Sequence, residues 1–179
     1  DFYAMKPMDL PIAKPKETEE MEQKLYDYLK SLNIEFRTKY HSPIVTKEDA
    51  DELASTCEGT ICKVVFLKGK DNYYLYAINT STNINMKTIH KRLGQNKVRF
   101  GENDTMTLML KVPKTCTSIY ALMNETERKL NVIIDEAIPK DTPVNFYALR
   151  HDAHLTLSYA DMIKFVESFN YKITYLSEK

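Results

Sequence analysis

The sequence predicts a mixed α/β (α+β) domain, a mixed and largely antiparallel sheet packed with helices. Three observations carry this. Segments with apolar residues at helical spacing interleave with segments that alternate at strand spacing. Several connections between predicted strands are hairpin-short, which favours antiparallel neighbours over a doubly wound parallel sheet. At 179 residues, 43% hydrophobic and 28% charged, the chain can enclose one sizeable core.

The elements follow in order. Residues 1–17 hold Pro7, Pro11 and Pro15 without periodicity and read as a leader or linker, leaving 18–179 as a single domain. Glu19, Glu20 and Glu22 suit the positive end of a helix that carries Met21, Leu25, Tyr28, Leu29 and Leu32 on one side. A strand follows over 34–40. Thr46 and Asp49 have capping-box spacing for a helix reaching Leu53. The segment 60–68, closed by Gly69, and the segment 73–79 form a hairpin around "GKDN". Met86 to Leu93 is a short helix ended by Gly94. A short strand at 97–100 and a helix from Asp104 to Leu110, stopped by Pro113, come next. "SIYALMN" (118–124) and "LNVIID" (130–135) read as strands flanking "ETERK", and 143–150 and 154–158 as two more. Ser158 and Asp161 cap a helix that buries Met162, Phe165, Val166 and Phe169, before a final strand at 171–177.

Composition excludes several classes. Formal net charge is zero, so a uniformly basic nucleic-acid surface is ruled out, though a local patch is not. One such patch lies between Lys87 and Lys114, where Lys91, Arg92, Lys97, Arg99 and Lys111 meet only Glu102 and Asp104. Three Cys form no disulfide framework and read as reduced thiols of a cytoplasmic compartment. No apolar run approaches the ~20 residues needed to cross a bilayer, and no signal peptide is evident, so no membrane partner is expected. The chain begins at Asp1, as a piece cut from a longer protein would. It holds no dinucleotide fingerprint, no Walker loop and no nucleophile elbow. The spacings His151-x-x-His154 and Cys57-x4-Cys62 match no standard four-ligand zinc pattern, so neither metal nor cofactor is expected.

One residue breaks its strand's pattern. In "TICKVVFLKG" the side chains of Ile61, Lys63, Val65 and Leu67 share a face. A lysine among three aliphatics is desolvated unless it meets an anion or an acceptor. It can equally snorkel at the strand end or guard an edge strand.

Five segments, in order, resemble the YbaK/ProX family of aminoacyl-tRNA editing domains associated with prolyl-tRNA synthetase. They are "HSPIVTKEDADEL" (41–53), "GTICKVVFLKGKDNYYLYAI" (59–78), "MKTIHKRLGQNKVRFGENDTMTLML" (86–110), "TCTSIYALMNETERKLNVIID" (115–135) and the C-terminal "VNFYALRHDAHLTLSYADMIKFVESFNYKITYL" (144–176). The last is more similar to the branch that clears alanine from tRNA(Pro) than to the branch that clears cysteine. The chain departs from the family pattern at Val64, Thr115, Ile119 and Ala121, and at Tyr147, Ala148, His151 and His154, where His, Pro, Asn and Thr are usual.

The resemblance implies a metal-free deacylase for mischarged Ala-tRNA(Pro). Cys-tRNA(Pro) deacylation and an inactive tRNA-binding module are the alternatives. Its partners are aminoacyl-tRNA(Pro) and, for an N-terminal appendage, the catalytic domains of prolyl-tRNA synthetase in the same chain. Lys63 is then the catalytic residue, anchoring the terminal nucleotide. Thr46, Thr115, Thr117, Ser118, Ala121, Asn145, Tyr147 and His151 line the substrate, and Lys87, Lys91 and Arg92 meet the tRNA. The substrate's 2′-hydroxyl assists, and no strong protein nucleophile is required because the ester is already activated. Ile119 and Tyr147 are expected to narrow the pocket against proline.

Overall fold

The computed structural model describes residues 15–177. Its spine is an eight-stranded sheet in the order β1-β7-β6-β2-β3-β5-β8, with β4 pairing β2 off this path. The strands are β1 (Arg37–Tyr40), β2 (Thr60–Lys68), β3 (Tyr73–Asn79), β4 (Arg99–Phe100), β5 (Leu130–Asp135), β6 (Val144–Tyr147), β7 (Ala153–Leu157) and β8 (Ile173–Leu176). The helices are α1 (Pro15–Ser31), α2 (Lys47–Thr56), α3 (Met86–Leu93), α4 (Asn103–Leu110) and α5 (Tyr159–Glu167). The mixed sheet agrees with the sequence. β1·β7, β6·β7, β2·β3 and β2·β4 are antiparallel, while β2·β6, β3·β5 and β5·β8 are parallel.

Helix α1 begins at Pro15, where a fixed φ and a missing N–H are tolerated, so three of the predicted leader residues are helical. The rest of that leader lies outside the described residues. α2 starts with the expected capping box: Thr46 accepts from Asp49 N–H at 3.1 Å, and the Asp49 carboxylate accepts from Thr46 N–H at 3.0 Å. α3 stops at Gly94, whose φ of 65° is left-handed.

One expected strand is absent. "SIYALMN" forms a 3-10 helix, Ile119–Asn124, buried on every side. Its apolar residues run consecutively, and periodicity cannot tell a buried helical turn from a buried strand. Ser118 caps it by accepting from Tyr120 N–H at 3.0 Å, and Tyr120 Oη donates to the Leu155 carbonyl at 3.0 Å. The piece packs against α4, α5 and β6.

The two faces of the sheet bury different cores. Cys62 and Phe66 of β2, with Val64 against them, join the large core with the 3-10 helix and α5. Leu67, with Val65 against it, joins the smaller core under Ile89 of α3. No described helix is long and apolar enough to cross a membrane.

Candidate active site

The site lies where two parallel strands part. β2 and β6 pair only through Thr60↔Val144 and Ile61↔Asn145. Extending that register by two residues sets Lys63 and Tyr147 opposite each other, just past the last pair. β2 next gains a neighbour on this edge at Leu67↔Phe100 of β4. Between these points no strand among the described residues borders it. Thr60 N–H donates to the Pro143 carbonyl and Gly101 N–H to the Phe66 carbonyl, both at 2.9 Å. The even-numbered residues of β2 therefore turn their backbone groups to this edge, and those of Val64 have no strand partner there. Crevices beyond the carboxyl ends of diverging parallel strands are where α/β sheets bind ligands.

A groove of about 340 Å³ occupies the gap, lined by Lys63–Phe66, Phe100, Gly101, Asn103, Met106, Lys114 and Thr117. Lys63 is exposed there. The desolvation expected from its strand face does not arise, because the partner strand that would cover it is missing. Lys114 opens the 3-10 turn Lys114–Cys116, which carries a second ammonium and the Thr117 hydroxyl to the same groove. That hydroxyl donates to the Lys114 carbonyl at 2.8 Å.

Two local features shape the fork. Gly59, at φ 88°, delivers the chain into β2 so close to Pro143 that a Cβ would stand 2.1 Å from the Pro143 carbonyl oxygen. Asn145 is fully buried, donates to the Glu58 and Thr60 carbonyls at 2.8 and 3.2 Å, and accepts from the Thr156 hydroxyl. Its amide is occupied in pinning β6 to its neighbours and does not face the groove as expected of a substrate ligand.

Other expected ligands also stand apart. Thr46 is committed to the α2 cap. Ala121 and Ser118 are fully buried in and before the 3-10 helix, and Ile119 is equally buried, so none lines the opening. Thr115 is half-buried in the 3-10 turn. Of the basic trio, Lys87 and Lys91 are exposed on α3, but Arg92 is not available to a tRNA. Its guanidinium pairs with Asp135 at 2.5 Å, with side chains 7% and 0% exposed, and donates to Tyr76 Oη at 2.8 Å. Helical geometry turns it inward while its neighbour Lys91 points out.

Beside the fork sits an imidazole cluster whose members lie far apart in sequence. His154 is 2% exposed, lies across from Tyr147 in the β6·β7 register, and has its ring centroid 4.3 Å from the tyrosine's. His41 Nε2 is 2.8 Å from His154 Nδ1, and His41 Nδ1 is 2.8 Å from the Ser42 carbonyl. A carbonyl only accepts, so His41 Nδ1 carries a hydrogen. The contact between the two rings holds a single hydrogen, since two N–H groups at this distance would oppose each other.

Burial, with His41 beside it, pushes the His154 pKa down to about 3. Burial also lowers that of half-buried His151. The unfolded chain binds a proton at His154 near pH 6.5 while the folded chain does not, so stability falls as pH drops from about 6.5 toward 3. The urea midpoint is therefore expected to be lower at pH 5 than at pH 7. His154→Gln is expected to narrow that difference, and an equal difference in the variant would contradict it.

The thiols are poor nucleophiles. Burial raises Cys62 to about 12 and Cys116 to about 11, so both stay protonated at neutral pH. Burial, reinforced by Cys116, likewise pushes the Tyr147 hydroxyl up to about 12, leaving it a donor and not a base. No group of three His, Cys, Asp or Glu among the described residues is placed to hold a metal. The groove thus offers two ammonium groups, a hydroxyl and unpaired backbone, a set suited to binding anionic or carbonyl oxygen.

Comparison with known proteins gives this site its context. The model of the aminoacyl-tRNA editing domain family matches residues 41–165. The chain is 25% identical over 161 residues to prolyl-tRNA synthetase associated domain-containing protein 1 of Danio rerio, covering 88% of each. It is 26% identical over 143 residues to the prolyl-tRNA editing protein ProX of Acetoanaerobium sticklandii, covering 78% of this chain and 87% of that one. A solved structure of a candidate trans-editing enzyme for prolyl tRNA synthetase superposes with a TM-score of 0.66 at 11% identity, covering 92% of this chain and 98% of the other. That of hypothetical protein APE2540 gives 0.65 at 16% identity, covering 86% and 98%. These two likenesses show the fold, and the family match spans more than half of the sequence. The chain belongs to the aminoacyl-tRNA editing domain family.

Proposed function

We propose that this domain hydrolyses mischarged aminoacyl-tRNA(Pro), with alanine as the preferred amino acid. The observation that carries the reading is the fork between β2 and β6, with Lys63 exposed in the groove on one prong and half-buried Tyr147, outside the groove's lining, level with it on the other. Lys63 holds the phosphate or the ester carbonyl of the charged 3′ end. Water, helped by the neighbouring ribose hydroxyl, attacks the carbonyl carbon. The bond from that carbon to the ribose oxygen breaks, releasing free amino acid and tRNA. Lys63 and the backbone N–H of Val64 supply donors where negative charge develops. None of the three cysteines serves as nucleophile, since burial raises Cys57 as well as Cys62 and Cys116.

Selectivity follows from size. A synthetase site built for proline discriminates weakly against a smaller residue, because a missing methylene is worth only about 1–3 kcal/mol. A second, smaller site corrects this, and Tyr147 forms its wall. Tyr147→Ala is expected to extend hydrolysis to bulkier esters, including Pro-tRNA(Pro). An unchanged range would remove Tyr147 from the pocket. The wild-type domain is expected to release alanine in preference to cysteine when the two charged tRNAs compete. Preference for cysteine would move it to the other branch, and binding without turnover would make it a tRNA-binding module.

Lys87 and Lys91 meet acceptor-stem phosphates. Reversing both to Glu is expected to weaken tRNA binding and reduce its salt slope by about 2, one unit per lost phosphate contact. Unchanged affinity and slope would take α3 out of the interface.

A further inference from the structure

The groove carries an aromatic side chain that neither the fold nor the proposed chemistry uses. Phe100 is 54% exposed, although its β2 partner Leu67 is fully buried. Gly101, whose Cβ position lies on the opposite face, runs hard against the Phe66 ring, where a Cβ would stand 2.2 Å away. That contact fixes the course of β4, and Phe100 belongs to neither core. As the cross-strand partner of Leu67 it lies on the same sheet face as Lys63. Lys63 and Leu67 stand four residues apart, about 13 Å along the strand. Phe100, Lys63 and Lys114 all line the one groove.

An exposed ring beside a row of ammonium groups is the arrangement by which proteins hold single-stranded nucleic acid, the bases stacking and the cations following the backbone. We propose that Phe100 is the stacking platform for the terminal base of the tRNA 3′ end, whose phosphate and ester lie toward Lys63. The proposal rests on the reading of the groove as an aminoacyl-tRNA site and names the part of the substrate that each end of the groove receives. The base fixes where the ester sits, so Phe100 acts on KM more than on kcat.

The sequence contains no Trp, so Phe100→Trp introduces a single fluorophore at the proposed contact. The probe is an uncharged acceptor minihelix of tRNA(Pro) ending in CCA, compared with the same minihelix carrying an abasic terminal nucleotide. Saturable quenching by the first and little by the second is expected. Phe100→Ala is expected to bind the CCA minihelix at least about fivefold more weakly than wild type, with KM for Ala-tRNA(Pro) raised accordingly and Phe100→Tyr restoring it. Because Phe100 contributes little to the core, its urea midpoint should match wild type. Equal quenching by both minihelices, or unchanged affinity of Phe100→Ala while wild type still hydrolyses Ala-tRNA(Pro), would overturn the stacking role and leave the deacylase reading intact. Loss of binding and hydrolysis in wild type itself would overturn both. A tryptophan signal that depends on protein concentration without RNA would assign Phe100 to a contact between copies and overturn the proposal.

Discussion

Lys63→Ala is expected to lower the single-turnover rate of Ala-tRNA(Pro) hydrolysis by at least about 100-fold, the loss that follows removal of one preorganised donor at a developing oxyanion. The side chain is exposed in the groove, belongs to neither core, and stands on a strand held by full pairing to β3 from Cys62 to Lys68. Its loss should therefore leave stability within about 0.5 kcal/mol of wild type, as for an ordinary surface substitution. Activity and stability are thereby separated. Lys63→Arg keeps the charge but replaces a compact ammonium with a planar fork, so it should recover binding of the 3′ end better than it recovers rate. A Lys63→Ala protein that hydrolyses at the wild-type rate would move the anchor elsewhere, with Lys114 across the groove as the next residue to test.

Arg92→Ala is expected to destabilise the fold by about 3–5 kcal/mol, measured by urea unfolding. The guanidinium is the charge partner of Asp135, whose side chain is wholly buried in β5. Tyr76 donates to the same carboxylate, and Ala137 N–H donates to its other oxygen at 2.8 Å. Removing Arg92 leaves those neutral donors facing an uncompensated buried charge. The neighbouring Lys91→Ala, on the solvent side of α3, should change stability by less than about 0.5 kcal/mol. Replacing both partners with apolar residues of similar size, Arg92→Met with Asp135→Leu, should recover much of the loss, since the desolvation of the pair disappears with it. An Arg92→Ala protein as stable as wild type would show that the carboxylate finds water or another partner.

Arg92 also marks the limit of what could be read from the sequence. Three basic residues within six positions on a helix read as one patch, but the periodicity of 3.6 sends one of them inward. Its destination was invisible because Asp135 lies 43 residues away, brought under α3 only by the parallel β3·β5 pairing. The Thr46–Asp49 capping box, the Ser158 cap of α5 (without the reciprocal Asp161 bond), the β2–β3 hairpin and the Gly94 stop were legible because their causes are local in sequence. The 3-10 helix at Ile119–Asn124 was not, since a continuous apolar run carries no period. Lys63 stands out in the sequence by its place among aliphatics, but its exposure does not follow from that place. The strand face is apolar, but the edge beside it is open, and that opening comes from β6 diverging over 80 residues downstream. His41 and His154, 113 residues apart, meet for the same kind of reason. The spacing of His151 and His154 matches no standard metal pattern and says nothing of His41, which the fold pairs with His154.

The fork between β2 and β6 is proposed here as a hydrolytic site for mischarged tRNA(Pro). Single-turnover hydrolysis of Ala-tRNA(Pro) by the isolated domain, with Pro-tRNA(Pro) in a parallel reaction, tests it most directly. Alanine release far above the spontaneous rate and an intact prolyl ester are expected. Alanine release no faster than in buffer, from a domain that still binds the tRNA, would contradict it.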